Sequence, residues 1–181
     1  HAAQHYGAIV HGVTLSQAQF DFVTAKVARL GLQDRVKVEI RDYRSLDAPE
    51  FYDKVVQIEM FEHLGIDNHD LHFRHIHALL RPRGLYFHQA STRLATPDLA
   101  HFRKPSAYRD IITRYVFPGG ELDYIGLTVS NLERHRFEVH DVESMREHFL
   151  RTLEIWTERL YANRAQAADL AGTARTRMWL L

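Results

Sequence analysis

The chain predicts an α/β fold, a doubly wound and mostly parallel sheet, on two observations. Short apolar runs that read as strands alternate with longer stretches whose apolar residues recur at helical spacing. The connections between successive runs are helical or too long for a tight hairpin, so neighbouring strands are expected to run parallel with helices on both faces. Residues 91–117 are expected to form a helical insertion, a lid over one rim of the sheet. All 181 residues are read as a single domain that begins and ends mid-fold.

Taken in order, residues 1–7 read as the end of a helix, because Ala2, Ala3 and Tyr6 share a face and Gly7 suits a left-handed cap. Residues 8–13 are mostly apolar and predict a first strand. Thr14 or Ser16 caps a helix over 17–30, with Phe20, Val23, Val27 and Leu30 as its apolar face and Gly31 as its stop. Val36, Val38 and Ile40 alternate with Lys37 and Glu39, the period of a strand covered on one face. A surface connection over 47–53 leads to Val55-Val56-Gln57-Ile58, read as a buried strand, which ends abruptly in Glu62 and His63. Asp67 or Asn68 caps a helix through Leu80, and Pro82 with Gly84 turns the chain into a fourth strand over 85–89.

From residue 91 to 117 the character changes. Arg93, His101, Arg103, Lys104, Arg109 and Arg114 are interleaved with Leu94, Leu99, Phe102, Tyr108 and Tyr115. Such a basic and aromatic segment could cover a site and touch anionic lipid, or be an ordinary amphipathic helix pair. Pro118-Gly119-Gly120 makes a turn, residues 124–134 a helix, and residues 137–142 a further strand. Ser144 caps a helix whose apolar face is Phe149, Leu153, Trp156 and Leu160, and a last helical stretch runs from Ala165 to the apolar end at Leu181.

Composition narrows the function. Lys plus Arg and Asp plus Glu both total 23, so there is no net field to attract nucleic acid, and contact with a membrane surface must come from a local patch. Cysteine is absent, which excludes disulfides and a cysteine nucleophile in this sequence and fits a reducing compartment. No apolar run approaches the roughly 20 residues that span a bilayer. A cytoplasmic protein, with or without peripheral membrane contact, is expected. His69, His72, His75 and His77 lie close together, but without a His-Glu-x-x-His signature they are expected to be solvated helix histidines, and no metal is predicted.

The candidate site starts from Glu62 and His63. In open α/β sheets ligands sit outside the carboxyl ends of the strands, so an acid and an imidazole there either face a ligand or solvate a turn. Further blocks accompany this run: Gly12-Val13-Thr14-Leu15-Ser16-Gln17-Ala18-Gln19 upstream, and Leu79-Leu80-Arg81-Pro82-Arg83-Gly84-Leu85-Tyr86-Phe87-His88 and Tyr115-Val116-Phe117-Pro118-Gly119-Gly120-Glu121-Leu122 downstream. In order and spacing these blocks resemble the cyclopropane fatty acid synthase family of S-adenosylmethionine-dependent methyltransferases, which includes the mycolic acid cyclopropane synthases. The resemblance runs from about Ala3 to Leu181.

The resemblance implies a Rossmann-like methyltransferase fold and S-adenosylmethionine as cofactor. It matches Thr14, Leu15, Gln19, Tyr43 and Arg44 to positions lining the cofactor, and Glu62 to the family's active-site glutamate. In that family the glutamate, a histidine on the next strand and a tyrosine farther on hold a bicarbonate that accepts a proton. Here the strand after Gly84 is shorter than the pattern expects, so either His88 or Gln89 takes the histidine's place, and Phe149 stands where the tyrosine belongs. The family's Gly-rich loop and first strand are expected ahead of His1, and no G-x-G occurs in this sequence, so weak cofactor binding by this stretch alone is expected. The implied acceptor is an unsaturated fatty acyl chain of a phospholipid. The competing readings are methyl transfer to a small molecule without ring closure, and an inactive lipid-binding relative.

Overall fold

The structure is a computed structural model that describes residues 1–96 and 98–180; Pro97, within the expected lid, and Leu181, at the end of the expected last helix, lie outside the described residues. It divides into two compact units, His1–Val139 and His140–Leu181.

The first unit opens with helix α1 (Ala2–Tyr6), closed by Gly7 at φ 66, a left-handed cap that a side chain would strain. Strand β1 (Val10–Thr14) leads into α2 (Gln17–Arg29), whose first turn is capped by the Ser16 hydroxyl accepting from the Gln19 amide. Phe20, Val23 and Val27 are half-buried along α2, on the face the sequence assigned to it. Strand β2 (Val36–Ile40) pairs in parallel with β1, with Val10 opposite Val36 and Thr14 opposite Ile40.

Strand β3 (Tyr52–Ile58) and strand β4 (Leu80–Gln89) form a second parallel pair, Val56 opposite Phe87 and Gln57 opposite His88. Between them runs α3 (His69–Leu79), preceded by the 3₁₀ turn Ile66–Asn68. Parallel strands need such a crossover, so the βαβ connection was legible in the sequence. The four strands make two ribbons, β1–β2 and β3–β4, where one sheet was expected. A hydrogen bond of 2.6 Å between His11 Nδ1 and the Tyr52 hydroxyl ties them side chain to side chain.

The core lies between α3 and one face of the β3–β4 ribbon. Phe61, Phe73, Ile76, Leu79 and Leu80 are buried there, Phe73 completely. Gln57, Tyr86 and His88 share that face, because side chains alternate along a strand. Val56, Ile58, Leu85 and Phe87 occupy the other face and are all more than half exposed, so the ribbon expected to be covered twice is covered once. Gly84 sits where β4 irregularly leaves its register, and a Cβ on it would lie 2.9 Å from the Arg81 carbonyl oxygen and from Leu80 Cδ2. Only hydrogen fits at that approach.

Within the segment expected to be a helical insertion, the described chain forms α4 (Leu99–Phe102), α5 (Ala107–Ile111) and a π-helical turn Ile112–Val116. Helix α6 (Ile125–Arg134) follows the glycine turn. The strand expected over 137–142 is not formed. Phe137 bonds its amide back to the Leu132 carbonyl and packs its ring on His77 and Tyr86 at 5.4 and 5.5 Å, so its apolar side chain is satisfied without a ladder.

The second unit comprises α7 (Arg146–Ala162), α8 (Arg164–Ala171) and α9 (Thr173–Trp179). The single last helix expected here is broken by Gly172 at φ 84. Trp156 and Leu160 of α7, Ala167 of α8 and Trp179 of α9 line an apolar hollow of 320 Å³.

Candidate functional site

Glu62 lies on the 3₁₀ turn Phe61–His63 immediately past β3. Two features fix that turn. Glu59 takes a left-handed conformation (φ 50) and donates its amide to the Gln89 carbonyl at 3.0 Å, bending the chain off the ribbon. Phe61 then drives its ring into the core, stacked on His69 at 4.1 Å and edge-on to His88 at 4.7 Å. Glu62 is left pointing at polar main chain. Its Oε1 accepts from the Ser91 amide at 2.6 Å, its carbonyl accepts from the Glu121 amide at 2.8 Å, and its Oε2 is buried without a partner.

The segments that meet Glu62 also pair with each other. Thr92 and Asp123 form an isolated parallel bridge, and the Arg93 amide donates to the Asp123 carbonyl at 2.9 Å. Asp123 is buried at 2 % exposure; its Oδ2 accepts from the Thr128 hydroxyl and its Oδ1 has no partner. Burial pushes the Asp123 carboxyl up to about 6, and the neighbouring Glu62 charge adds to the rise.

Glu121 holds the insertion to this floor. Its carboxylate accepts from the Ile66 amide at 2.9 Å and from Arg103 Nε at 2.9 Å, while the Arg103 fork grips Asp67 at 2.8 and 2.9 Å. Arg93 lies flat over the Phe102 ring, 3.4 Å from its centroid, and donates to the Phe102 carbonyl.

At the end of β1 the Thr14 hydroxyl donates to Gln19 Oε1 at 2.6 Å, so these candidates meet on the exposed surface, with Leu15 beside them 74 % exposed. After β2, Asp42 accepts from the Arg44 amide at 2.9 Å and pairs with its guanidinium, which holds the Asp42 carboxyl down at about 2. Tyr43 turns the other way: its hydroxyl lies 3.0 Å from His72 Nδ1, and His72 Nε2 lies 3.1 Å from the Tyr86 hydroxyl. Tyr86 in turn donates to Gln57 Oε1 and lies 3.1 Å from His88 Nδ1. The set is satisfied when Tyr43 donates to a neutral His72, and His72 and His88 both donate to Tyr86.

The expected site residues therefore fall into three groups. Thr14 and Gln19 meet each other; Tyr43 and His88 are joined through His72 and Tyr86; Glu62 stands with Ser91 and Asp123. Gln89 contributes its main-chain carbonyl to Glu59, and Arg44 serves Asp42. His69 and His72 are 1 % exposed, a correction to the expectation of solvated helix histidines. Phe61 caps them, and burial holds His69, His72 and His88 neutral, at about 4, 3 and 4. Among the described residues no group of His, Cys, Asp and Glu side chains converges as a metal site.

Sequence reasoning missed Asp123, His72 and Tyr86. For Tyr86 a signal existed, since it shares the strand phase of His88. Asp123 directly follows a recognisable block, but nothing in a single sequence announces that a lone acid after Leu122 is buried.

Parallel βαβ units with helices between their strands define the class, a Rossmann-like α/β fold. The family model for mycolic acid cyclopropane synthetase matches residues 1–181, and the chain belongs to that family. It is similar to a probable fatty acid methyltransferase of Pseudomonas putida, 36 % identical over 180 residues that make up 99 % of this chain and 45 % of the relative. It is also similar to the tuberculostearic acid methyltransferase UfaA1 of Mycobacterium tuberculosis, 32 % identical over 179 residues, 97 % of this chain and 40 % of that one. Among solved structures, mycolic acid cyclopropane synthase CmaA1 complexed with SAH and CTAB superposes with a TM-score of 0.85 at 28 % identity, covering 99 % of this chain and 64 % of that one. The chain spans less than half the length of these curated relatives.

Proposed function

We propose that the protein transfers a one-carbon unit from S-adenosylmethionine to an unsaturated fatty acyl chain of a phospholipid. The observation that carries this reading is Glu62: an acid fixed by main-chain bonds at a strand end, with one carboxylate oxygen buried and unpartnered. Such an oxygen fits a cation that cannot itself donate a hydrogen bond, which describes both a sulfonium and an alkyl carbocation. Thr14 and Gln19 at the end of β1, and Tyr43 after β2, are the polar groups that would hold the nucleoside and amino-acid parts of the cofactor.

When bound, the cofactor supplies an electrophilic methyl group. An alkene is a weak nucleophile, so the chain's contribution is to orient it and to stabilise the positive charge that its attack leaves on the neighbouring carbon. Glu62 does the second. Ring closure further requires a base to take a proton from the transferred methyl.

His88 Nδ1 faces the Tyr86 hydroxyl, and its Nε2, like Glu62 Oε2, is buried without a partner, so Nε2 is the nitrogen left for a bicarbonate as that base. Phe149, where the resemblance expects a tyrosine, has no hydroxyl. That residue favours a second reading, methyl transfer without ring closure; the two relatives above are named as methyltransferases.

The readings separate in one experiment. Liposomes of monounsaturated phospholipid are incubated with the protein and S-adenosylmethionine carrying a ¹³C methyl, and the extracted acyl chains are read by NMR. Upfield cyclopropyl methylene signals indicate ring closure, and a branch methyl indicates simple transfer. No label in lipid, together with no heat on titrating S-adenosylmethionine, would show an inactive lipid-binding relative instead. Among the described residues no helix is long and apolar enough to cross a membrane, so access to lipid is proposed as peripheral contact through the basic and aromatic segment 91–117.

A further inference from the structure

Three polar groups converge on the one side-chain oxygen of Tyr86: Gln57 Oε1, His72 Nε2 at 3.1 Å and His88 Nδ1 at 3.1 Å. A phenol oxygen has one hydrogen to give and two lone pairs to receive with, so these contacts use its whole capacity. Burial pushes the Tyr86 hydroxyl well above its ordinary ionisation, so the hydrogen stays on. Gln57 Oε1 can only accept, and it therefore takes that hydrogen. Both imidazoles are left to donate to the same oxygen.

Each imidazole has one hydrogen to place. Burial holds His72 and His88 neutral, and among the described residues neither is bonded to a carboxylate. His72 puts its hydrogen on Nε2, which frees its Nδ1 to accept from the Tyr43 hydroxyl at 3.0 Å. His88 puts its hydrogen on Nδ1. Its Nε2 is then a bare lone pair, and that atom is buried without a partner among the described residues. The ring lies edge-on to Phe61 at 4.7 Å and tilted to Phe73 at 6.1 Å, and neither of these rings has a hydrogen-bonding group to offer it.

We propose that Tyr86 is a positioning residue for His88: it holds the imidazole hydrogen on Nδ1 and so presents Nε2 as an acceptor for a ligand group that brings its own hydrogen. The inference rests on the reading of His88 as part of the one-carbon transfer site. It adds a requirement on the ligand. A bicarbonate hydroxyl has a hydrogen to donate to Nε2, whereas a carbonate has none and a sulfonium carries none on sulfur. Which nitrogen of a histidine is active is set by the bond that the other makes, and a base left in the wrong tautomer loses most of its effect. Gln57 contributes one step further out, by taking the hydroxyl hydrogen away from the imidazoles.

Its test reads the tautomer directly. Long-range ¹H–¹⁵N correlation spectra are recorded for the 181-residue chain without ligand near pH 7.5, with His88 assigned through bonds from its main-chain amide. In the unsubstituted protein His88 Nδ1 is of the protonated type and Nε2 of the bare type. In Tyr86→Phe the acceptor is gone, and the ratio of the Nδ1–H form to the Nε2–H form falls by about fivefold or more, the worth of one hydrogen bond. If Tyr86→Phe does not fold, the unsubstituted protein decides alone: an Nδ1 hydrogen protected from exchange and in nuclear Overhauser contact with the Tyr86 ring supports the proposal. Hydrogen on His88 Nε2, the state that a reversed Gln57 amide permits, overturns it. A tautomer ratio that Tyr86→Phe leaves unchanged overturns it too.

A second arm reads label transfer from ¹³C-methyl S-adenosylmethionine to liposomes. Per folded molecule, transfer by Tyr86→Phe is expected to fall about tenfold or more, with the KM for S-adenosylmethionine unchanged because the sulfonium has no hydrogen for Nε2 to accept. Unchanged transfer overturns the role in the reaction. If the unsubstituted protein labels no lipid, the proposed function falls, and the spectra still decide which nitrogen holds the hydrogen.

Discussion

In the proposed reaction Glu62 is the residue on which the chemistry turns, and its surroundings make an informative substitution available. Glu62→Gln keeps an oxygen for the Ser91 amide, removes the charge and puts an uncharged NH2 in place of Oε2. One-carbon transfer to liposomes is expected to fall by about 100-fold or more, as when a charge-stabilising group is lost from an active site. The denaturation midpoint should hardly move, corresponding to less than about 1 kcal/mol. A large loss of stability with retained activity per folded molecule would place Glu62 in the scaffold instead. The position of Glu62 past the end of β3 was legible because it follows an apolar run, whereas its bond to the Ser91 amide was not. Asp123 was not: its burial arises from a bridge to Thr92, a partner that no local pattern reveals. The burial of His72 is equally hidden in the sequence, because charged Asp70 and Arg74 flank it; those two pair with each other while the imidazole is 1 % exposed.

At the scale of elements, α3 and β4 are joined by polar bonds as much as by apolar packing. Tyr86 is the hub, in contact with His72, Gln57 and His88 through one oxygen. Tyr86→Phe preserves the ring against Phe73 and Phe137 but leaves three buried polar groups without a partner. It should destabilise the protein by about 2–4 kcal/mol, read as a lower midpoint in urea at an unchanged slope. Gly84→Ala is expected to cost about 1–3 kcal/mol, because the Arg81 carbonyl it would meet is main chain and cannot swing aside. Helices α1 and α2 were readable because glycines follow them, whereas β4 begins at Leu80, straight after α3, and carries Pro82 and Gly84 within it where a turn ahead of residue 85 was expected. The strand expected at 137–142 failed for the opposite reason: a few alternating apolar residues describe a segment whose rings pack, and they do not reveal whether a neighbouring strand exists to pair with it. The open face of β3–β4 was equally invisible, since Val56 and Ile58 read as buried wherever they stand.

At the scale of the folded molecule, titration sets the conditions under which the site exists. His69, His72 and His88 are neutral in the fold, held at about 4, 3 and 4 by burial, whereas the unfolded chain protonates them near 6.5. Their folded values are depressed, so the unfolded state binds more protons between these limits. The neutral imidazoles favour the fold fully above pH 6.5, and that advantage is lost as the pH falls towards 4 and 3. Asp42 and Glu39, held at about 2 by Arg44 and by Lys37 with His11, add a second loss lower down, between their ordinary values and 2. Asp123 acts in the opposite sense: raised to about 6, it favours the fold at low pH and ceases to do so as the pH rises from 3.8 through 6. Three histidines against one acid leave a net loss, so the urea midpoint should decline steadily from pH 6.5 to 4. His69 is the residue to test this with, because neither of its nitrogens has a partner and its ring is stacked on Phe61. His69→Phe keeps an aromatic ring in that stack and removes both the orphaned nitrogens and the titration. It should raise the midpoint at every pH, and by more at pH 5 than at pH 8. An equal gain at both would mean that His69 is already neutral in the unfolded chain at pH 5, or charged in the folded one, and the acid window would then have to be assigned to His72 and His88.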